Sequence, residues 1–299
     1  MRNVLTRRVL KLIDDEAKSD PAKYQKWYMD FQVFLKDGMF SDHDNKEALF
    51  RLARFNTKST GAAEMISVDE YISKMNKDQE KIYFIVGSQY DLALHSPFLE
   101  PFKGSDLDVI ILNNPYDEML LNQMREYKSK KFVNIESAFE EIQKDLGKNI
   151  EEETKDRSRI PEEDITSYCL WLKEELKPHV GKVTISKRLR DTPCIISGQM
   201  SSSQRLAYQM MAQQAGNMTN DPQLEEASKQ QTLELNPSHP LIVNLNQLRK
   251  RGNKAQCSLI SRQLLDTVLT QTGIPYNFQE AVTRQYKLLG GYVDLLVDS

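Results

Sequence analysis

The sequence has few of the side chains that build metal centres or disulfide frameworks. Its three cysteines, Cys169, Cys194 and Cys257, lie far apart and form no Cys-x-x-Cys pair, and its four histidines occur singly. Zinc sites and disulfide scaffolds need such residues at short, paired spacings, so we expect neither here. Free thiols are typical of proteins in a reducing compartment.

Long apolar runs and a large net charge are also missing. No uninterrupted apolar run approaches the roughly 20 residues that a membrane-spanning helix needs. The 299 residues carry a formal net charge of -3, with 28% charged and 39% hydrophobic side chains. This balance predicts a soluble globular protein of two or three compact units, with neither nucleic acid nor a membrane as its partner.

The chain opens with a helical region, which we assign to residues 1–63. Its first segment, MRNVLTRRVLKLIDDEA, is rich in arginine, as transit peptides are. The acidic side chains of Asp14, Asp15 and Glu16 argue against a transit peptide, because such peptides contain few acidic residues. A folded helix is therefore predicted.

Two further helices are predicted in this region. Asp20 is a candidate N-cap and Pro21 suits the first helical position, so a second helix begins here, rich in aromatic residues. Gly38 is its predicted C-terminal stop. The spacing of Leu52 and Phe55 extends a third helix to Phe55.

Residues 64–150 alternate short apolar runs with helical segments. Ser67 and Glu70 have the spacing of a capping box, which predicts a short helix. The apolar runs are Ile82–Val86, Asp108–Leu112 and Lys131–Ile135, and helical segments are predicted at 91–102 and 118–128. Near-continuous apolar strands separated by helices predict a small three-layer α/β subdomain with a parallel sheet.

A charged stretch at 151–164 predicts a linker, and 165–299 resumes order as an α+β domain. Its predicted elements are a helix at 165–176, antiparallel strands at 182–189 and 193–200, a turn-rich stretch LELNPSHPLIVNLNQL, and helices near Cys257–Thr272 and Phe278–Val297. The predicted fold class is thus α/β, α+β overall.

The stretch GSDLDVIIL places two carboxylates at the start of a strand. Residues i and i+2 of a strand share a face, so Asp106 and Asp108 have the pattern of metal-binding carboxylates in nucleotidyltransferases. The next strand adds no carboxylate before Glu136. A structural, charged entrance to the strand is therefore favoured, and a metal-dependent nucleotidyltransferase is the alternative.

Several short motifs occur in a fixed order along nearly the whole chain. They are FLKDGMFSD from Phe34, RLARFNT from Arg51, SPFLEPF from Ser96, DVIIL, NPYDE, MREYKSKKFVNI and LELNPSHPLI. Together they resemble the middle and C-terminal region of the heat shock protein 90 chaperone family. The chain ends in LLVDS, not the acidic Met-Glu-Glu-Val-Asp of cytosolic eukaryotic members, and is most similar to the bacterial and mitochondrial (TRAP-type) branch.

The resemblance implies part of an ATP-dependent stress-response chaperone that dimerises and binds unfolded or partly folded client proteins. It implies that an ATPase domain precedes this region in the full-length protein, where ATP and magnesium bind. No glycine-rich phosphate loop occurs here, so we expect this chain alone neither to bind ATP tightly nor to hydrolyse it. The implied compartment is the mitochondrial matrix or another organelle, with the cytoplasm as the alternative.

The two terminal helices have apolar stripes that need covering, because large exposed apolar patches are rare on monomers. A four-helix bundle between two copies, as in the family, would cover them, and packing against their own domain is the alternative. The predicted interface residues are Leu264, Leu265, Val268, Leu269, Val282, Tyr286, Leu289, Val293 and Leu296.

A methionine-rich segment, MSSSQRLAYQMM, follows Gly198-Gln199, where family members commonly carry a tryptophan. Methionine adapts to many apolar partners, so the segment is predicted to bind clients, with an ordinary packed helix as the alternative. The predicted client-binding residues are Met200, Leu206, Tyr208, Met210 and Met211.

Overall fold

The structure is a computed structural model that describes residues 2–147, 157–198, 201, 203–205, 231–272 and 277–297. The chain packs as two units. The first unit comprises Met1–Leu94 and Gly104–Ala138, and the second comprises His95–Lys103 and Phe139–Ser299. The finer division predicted at residues 63, 150 and 164 stays a prediction.

The first unit begins with three helices: α1 (Arg2–Ser19), α2 (Pro21–Ser41) and α3 (Lys46–Leu52). The Asp20 side chain caps α2 by accepting a hydrogen bond from the Lys23 backbone. The prediction that Gly38 stops this helix is wrong, because α2 continues to Ser41. A Cβ at Gly38 would lie 3.2 Å from Leu49 Cδ1, so this glycine instead allows α3 to approach closely.

The predicted extension of α3 to Phe55 is also wrong. The helix ends at Leu52, and the backbone of Phe55 exchanges two hydrogen bonds of 2.9 Å with Ile66. The Phe55 ring is nevertheless buried and lies 6.2 Å from that of Phe50. The apolar spacing therefore predicted the burial of Phe55 correctly, but it did not predict the backbone conformation of this residue.

A five-stranded sheet completes the first unit. Its strands are β1 (Asn56–Thr57), β2 (Lys81–Val86), β3 (Val109–Leu112), β4 (Glu126–Tyr127) and β5 (Lys130–Asn134), in the order β1-β3-β2-β5-β4. The three central strands are parallel, as predicted, while the short edge strands β1 and β4 pair antiparallel. The unit also contains α4 (Val68–Lys74), α5 (Tyr90–Leu94) and α6 (Pro115–Met124). The capping box of Ser67 and Glu70 is confirmed.

The two helical segments predicted between the strands are shorter than expected. The segment at 118–128 ends as a helix at Met124, because Arg125 adopts a positive φ of 61° and turns the chain into β4. The segment at 91–102 divides into α5 and a 3-10 helix, Pro97–Phe102, which belongs to the second unit. Ser96 caps that helix by accepting a hydrogen bond from the Phe98 backbone.

The second unit contains a three-stranded sheet of β6 (Lys182–Ile185), β7 (Cys194–Ser197) and β8 (Thr232–Leu235), in the order β6-β8-β7. β6 and β7 run in opposite directions within this sheet, as predicted, but they are not neighbours. β8 lies between them, parallel to β6 and antiparallel to β7. The stretch predicted to be turn-rich contains most of β8 and the helix after it. The alternating side chains of Leu233 and Leu235 on β8 are buried in the core.

Helices complete the second unit: α7 (Phe139–Leu146), α8 (Glu162–Glu175), α9 (Pro240–Lys250), α10 (Lys254–Thr272) and α11 (Phe278–Val297). Helices α8, α9 and α10 pack with the sheet in a common core that includes Tyr168, Leu172, Cys194, Leu233, Leu235, Ile242, Cys257 and Leu265. Within the residues described, no helix is both long enough and apolar enough to cross a membrane.

Candidate functional site

The predicted interface residues of α10 lie in the core of their own unit. Leu264, Leu265, Val268 and Leu269 are each at most 6% exposed. Helix α10 packs against α8, α9 and β7, so these side chains are already covered. The exposed residues of the predicted interface are therefore on the following helix.

Most of the predicted residues of α11 face solvent. Tyr286 is 70% exposed, Leu289 53%, Val293 54% and Leu296 59%, while Val282 is partly buried. Residues at spacings of three, four and seven lie on one side of a helix, so these side chains form a continuous apolar stripe. We call residues 282, 286, 289, 293 and 296 the α11 stripe. The structure brings these five residues together and separates them from the four on α10.

An ion pair and one small residue hold α11 against α10. The Arg284 guanidinium donates to both oxygens of Asp266, with Nε at 2.7 Å and Nη2 at 3.0 Å. These hydrogen bonds to Asp266 raise the pKa of Arg284 further. Arg284 also contacts Glu280 at 3.2 Å, and Ala281 is buried. This attachment orients the α11 stripe away from the core of its own unit.

The role of Arg284 and Asp266 was missed in the sequence. The two residues are 18 positions apart and lie on different helices, so no local spacing rule pairs them. Their charges were visible, but only the packing of α10 against α11 brings them into contact. This pair fixes which side of α11 is exposed.

Of the two aspartates of GSDLDVIIL, Asp108 has a structural role in the residues described. The Asp108 carboxylate accepts hydrogen bonds from the Ser59 backbone at 3.1 Å, the Ser59 hydroxyl at 2.5 Å and the Val109 backbone at 2.9 Å. Asp106 is exposed and precedes the strand. No three His, Cys, Asp or Glu side chains among the described residues form a metal-binding group. Nothing here supports the nucleotidyltransferase alternative.

The predicted client-binding residues belong to the methionine-rich segment. They lie outside the described residues, which stop at Gly198 and resume fully at Gln231 apart from 201 and 203–205. The residues concerned are Met200, Leu206, Tyr208, Met210 and Met211.

Known proteins are similar to this sequence over almost its full length. The family model described as Hsp90 protein matches residues 1–294. The chain is 31% identical over 292 residues to "Chaperone protein HtpG" of Desulfotalea psychrophila, covering 97% of this chain and 45% of that protein.

Organellar proteins are among the relatives. The chain is 32% identical over 276 residues to "Heat shock protein 90-5, chloroplastic" of Arabidopsis thaliana, covering 91% of this chain and 34% of that protein. It is 29% identical over 290 residues to "TNF receptor-associated protein 1 homolog, mitochondrial" of Dictyostelium discoideum, covering 96% of this chain and 39% of that protein.

These likenesses agree with the order of motifs and with the bacterial and organellar branch predicted from the sequence. The chain spans less than half the length of these relatives. The match to the family model covers both units described above. The chain belongs to the Hsp90 protein family.

Proposed function

We propose that this chain works as part of a molecular chaperone that dimerises through α11 and binds unfolded or partly folded client proteins. Family membership and relatives named as chaperones support the chaperone role. The α11 stripe is the observation that carries the dimer. A second copy of this chain fits the stripe, because two amphipathic helices meeting around a two-fold axis cover each other's apolar faces.

The dimer is tested by changing two residues at the centre of the α11 stripe. We expect the wild-type chain to have the mass of two copies at micromolar concentration by light scattering. The double variant Leu289→Ser/Val293→Ser should raise the dimer dissociation constant at least about thirtyfold, because losing central apolar anchors typically costs about 2 kcal/mol or more. Both side chains are exposed, so folding of the single chain should be retained.

A matched control separates the interface from general surface hydrophobicity. Leu5 and Leu12 on α1 are 65% and 63% exposed, similar to the α11 residues. The double variant Leu5→Ser/Leu12→Ser should leave the dimer mass unchanged. A wild-type chain that is monomeric at micromolar concentration, or a variant of α11 that still dimerises, would contradict the proposal.

Client binding is assigned to the methionine-rich segment with Met200, Leu206, Tyr208, Met210 and Met211. Flexible, polarisable methionine side chains suit a surface that adapts to different apolar partners. The double variant Met210→Ser/Met211→Ser should weaken suppression of aggregation of a chemically denatured test protein more than it lowers the melting temperature. Met29→Ser/Met119→Ser, at exposed methionines of α2 and α6, is the control and should change neither.

We propose that ATP and magnesium bind the full-length family protein at a site outside the described residues of this chain. For the compartment we propose the mitochondrial matrix or another organelle, supported by the mitochondrial and chloroplastic names among the relatives. A fluorescent fusion of the full-length protein, imaged with organelle markers, tests this, and a cytoplasmic signal would favour the alternative.

A further inference from the structure

Helix α1 contacts the rest of the first unit by one side. Leu10 and Ala17, seven positions apart, are 8% and 3% exposed and mark this inner side. Four other apolar side chains of the helix are largely exposed: Val4 at 73%, Leu5 at 65%, Val9 at 45% and Leu12 at 63%. Because residues at spacings of three, four and seven share one side of a helix, Leu5, Val9 and Leu12 form a continuous apolar row. We call these three residues the outer row of α1.

Three cations lie beside the outer row. The side chains of Arg7, Arg8 and Lys11 are exposed. Arg8 is three positions after Leu5 and four before Leu12, so it adjoins the row, and Arg7 and Lys11 are neighbours at a spacing of four. In the part of the chain that the structure describes, no carboxylate forms an ion pair with any of the three. These cations are therefore accessible to an anionic partner.

The acidic side chains of α1 lie in its second half, where two of them already have cationic partners. Asp14 pairs with Lys18, and Glu16 pairs with Lys23 of α2, each at 2.5 Å. Residues 4–13 contain three basic side chains and no acidic one, a charge of +3, whereas the whole chain has a net charge of -3. The prediction that a membrane is not a partner used the charge of the whole chain, which averages over this stretch.

The combination of apolar and basic residues restricts the class of partner. Nucleic acid would contact the cations through its phosphates but would leave the outer row in water. A neutral apolar protein surface would cover the row, but it would take the nearby cations out of water without a counter-charge, which is unfavourable. The surface of a membrane with anionic phospholipids offers acyl chains to the row and phosphate groups to the cations.

We propose that α1 binds the surface of a membrane that contains anionic phospholipids. The helix lies parallel to the membrane plane, with the outer row at the boundary between headgroups and acyl chains and with Arg7, Arg8 and Lys11 at the phosphate groups. This contact does not cross the bilayer, and no described helix is long and apolar enough to do so. It uses α1 of the first unit alone, so it does not depend on the dimer proposed through α11.

Co-sedimentation of the full chain with vesicles tests the role of the cations. At low salt we expect binding to vesicles of phosphatidylcholine mixed with phosphatidylglycerol, and at least about tenfold weaker binding to pure phosphatidylcholine, because the cations then lose their counter-charges. Added salt should weaken the binding to mixed vesicles, since it screens exposed charges. The double variant Arg8→Gln/Lys11→Gln should bind mixed vesicles at least about tenfold more weakly than wild type.

The same assay tests the outer row. Leu5→Ser/Leu12→Ser should lower the affinity for mixed vesicles at least about tenfold, because binding strength increases with the apolar area that enters the membrane. The matched control is Leu92→Ser/Leu170→Ser, at leucines of α5 and α8 that are 62% and 60% exposed, and it should bind as wild type does. Light scattering should give the same mass for wild type and Leu5→Ser/Leu12→Ser, so that failure of this proposal is distinguishable from failure of the dimer.

A fluorescent label reports whether the outer row itself enters the membrane. The partly exposed Cys169 is replaced by serine, and Cys194 and Cys257 are buried, so that one introduced cysteine carries an environment-sensitive dye. The emission of a label at Leu12→Cys should shift to shorter wavelength when mixed vesicles are added. The emission of a label at Leu170→Cys should not shift.

The proposal is overturned if wild type does not bind mixed vesicles at low salt, if Leu5→Ser/Leu12→Ser binds them as wild type does, or if the leucine control loses binding equally. The alternative occupant of the outer row is an unfolded polypeptide. If wild type ignores the vesicles while Leu5→Ser/Leu12→Ser weakens suppression of aggregation of a chemically denatured protein, then α1 binds clients and not lipid.

Discussion

Helices α10 and α11 have similar apolar stripes in the sequence but opposite surroundings in the structure. The stripe of α10, from Leu264 to Leu269, is buried by α8, α9 and β7 of the same unit. The α11 stripe is mostly exposed, with Tyr286 at 70%. An apolar stripe at helical spacing therefore predicts that a helix face packs against an apolar surface, but it does not identify that surface.

The difference between the two helices has a simple geometric cause. Helix α10 runs across the core, so its own unit surrounds its apolar face. Helix α11 is the last described element and contacts that core through Ala281 and Arg284 near its start. Everything beyond the first two turns of α11 projects its apolar side away from the elements that could have buried it.

The largest expected effect is a core deletion in α10. Leu265→Ala should cost about 2–5 kcal/mol of unfolding free energy, because it removes buried methyl groups and leaves a cavity. Leu295→Ala on α11, where the side chain is 70% exposed, should change the unfolding free energy by less than about 0.5 kcal/mol. Urea unfolding followed by circular dichroism measures both, and equal costs would contradict the contrast between the helices.

The attachment of α11 to α10 gives the next effect. Arg284→Met should cost about 2 kcal/mol, since it leaves the Asp266 carboxylate, with a side chain 8% exposed, without its bidentate partner. Arg284→Lys should recover only part of this, because lysine cannot donate to both oxygens in the same planar geometry. Hydrogen exchange of the α11 amides measures the loss, and full recovery by lysine would show that charge alone matters.

A smaller effect of opposite sign is expected on the far side of α11. Gly291 has nothing within 4 Å of where a Cβ would lie, and it faces away from the α11 stripe. Gly291→Ala should stabilise the helix by up to about 1 kcal/mol without changing the dimer mass, since alanine has the higher helix propensity. A drop in dimer affinity would show that the side of α11 with Gly291 contacts the second copy, and it would contradict the assignment of the dimer interface to the α11 stripe.

The smallest effect is a pH dependence at the start of α9, another helix with a buried face. His239 caps α9 by accepting a hydrogen bond from the Leu241 backbone, and burial lowers the pKa of His239 below 6.5. Between pH 7.5 and 5.5 the unfolded chain therefore takes up a proton more readily than the folded chain, so stability should fall as pH falls.

Two variants test this pH effect, one at the capping residue and one at a histidine elsewhere in the second unit. His239→Asn should retain an acceptor for α9 and flatten the pH dependence, because asparagine is a good N-cap and does not titrate. His179→Asn, at an exposed histidine, should leave the slope as in wild type. Thermal unfolding across this pH range measures the slopes, and an unchanged slope in His239→Asn would assign the effect elsewhere.

Local signals predicted much of the fold. The capping box of Ser67 and Glu70, the three parallel strands and the bounds of α11 are all confirmed. Each depends on residues within one or two turns or on an unbroken apolar run. The predictions that Gly38 ends α2 and that Phe55 belongs to α3 were wrong for a related reason, because each followed the local preference of one residue. In the structure Gly38 allows close packing of helices, and Phe55 is buried beside a strand.

Contacts between distant segments were not predictable in the same way. β8 separates β6 from β7, although the chain reaches it more than 30 residues after β7. The Arg284–Asp266 pair likewise joins groups 18 positions apart, and the Glu100 carboxylate accepts a hydrogen bond from the Arg190 backbone, 90 positions away. Many alternative partners of the right charge exist in the sequence, so only three-dimensional packing selects among them.

The sequence by itself determined the helical and strand periods, the family to which the chain belongs and the presence of two apolar terminal helices. Tertiary structure alone decided that the apolar stripe of α10 is buried, that the α11 stripe is mostly exposed, and that β8 lies between β6 and β7. The physical reason is that periodicity and capping act over a few residues. Burial instead depends on which distant surfaces compete for the same apolar face.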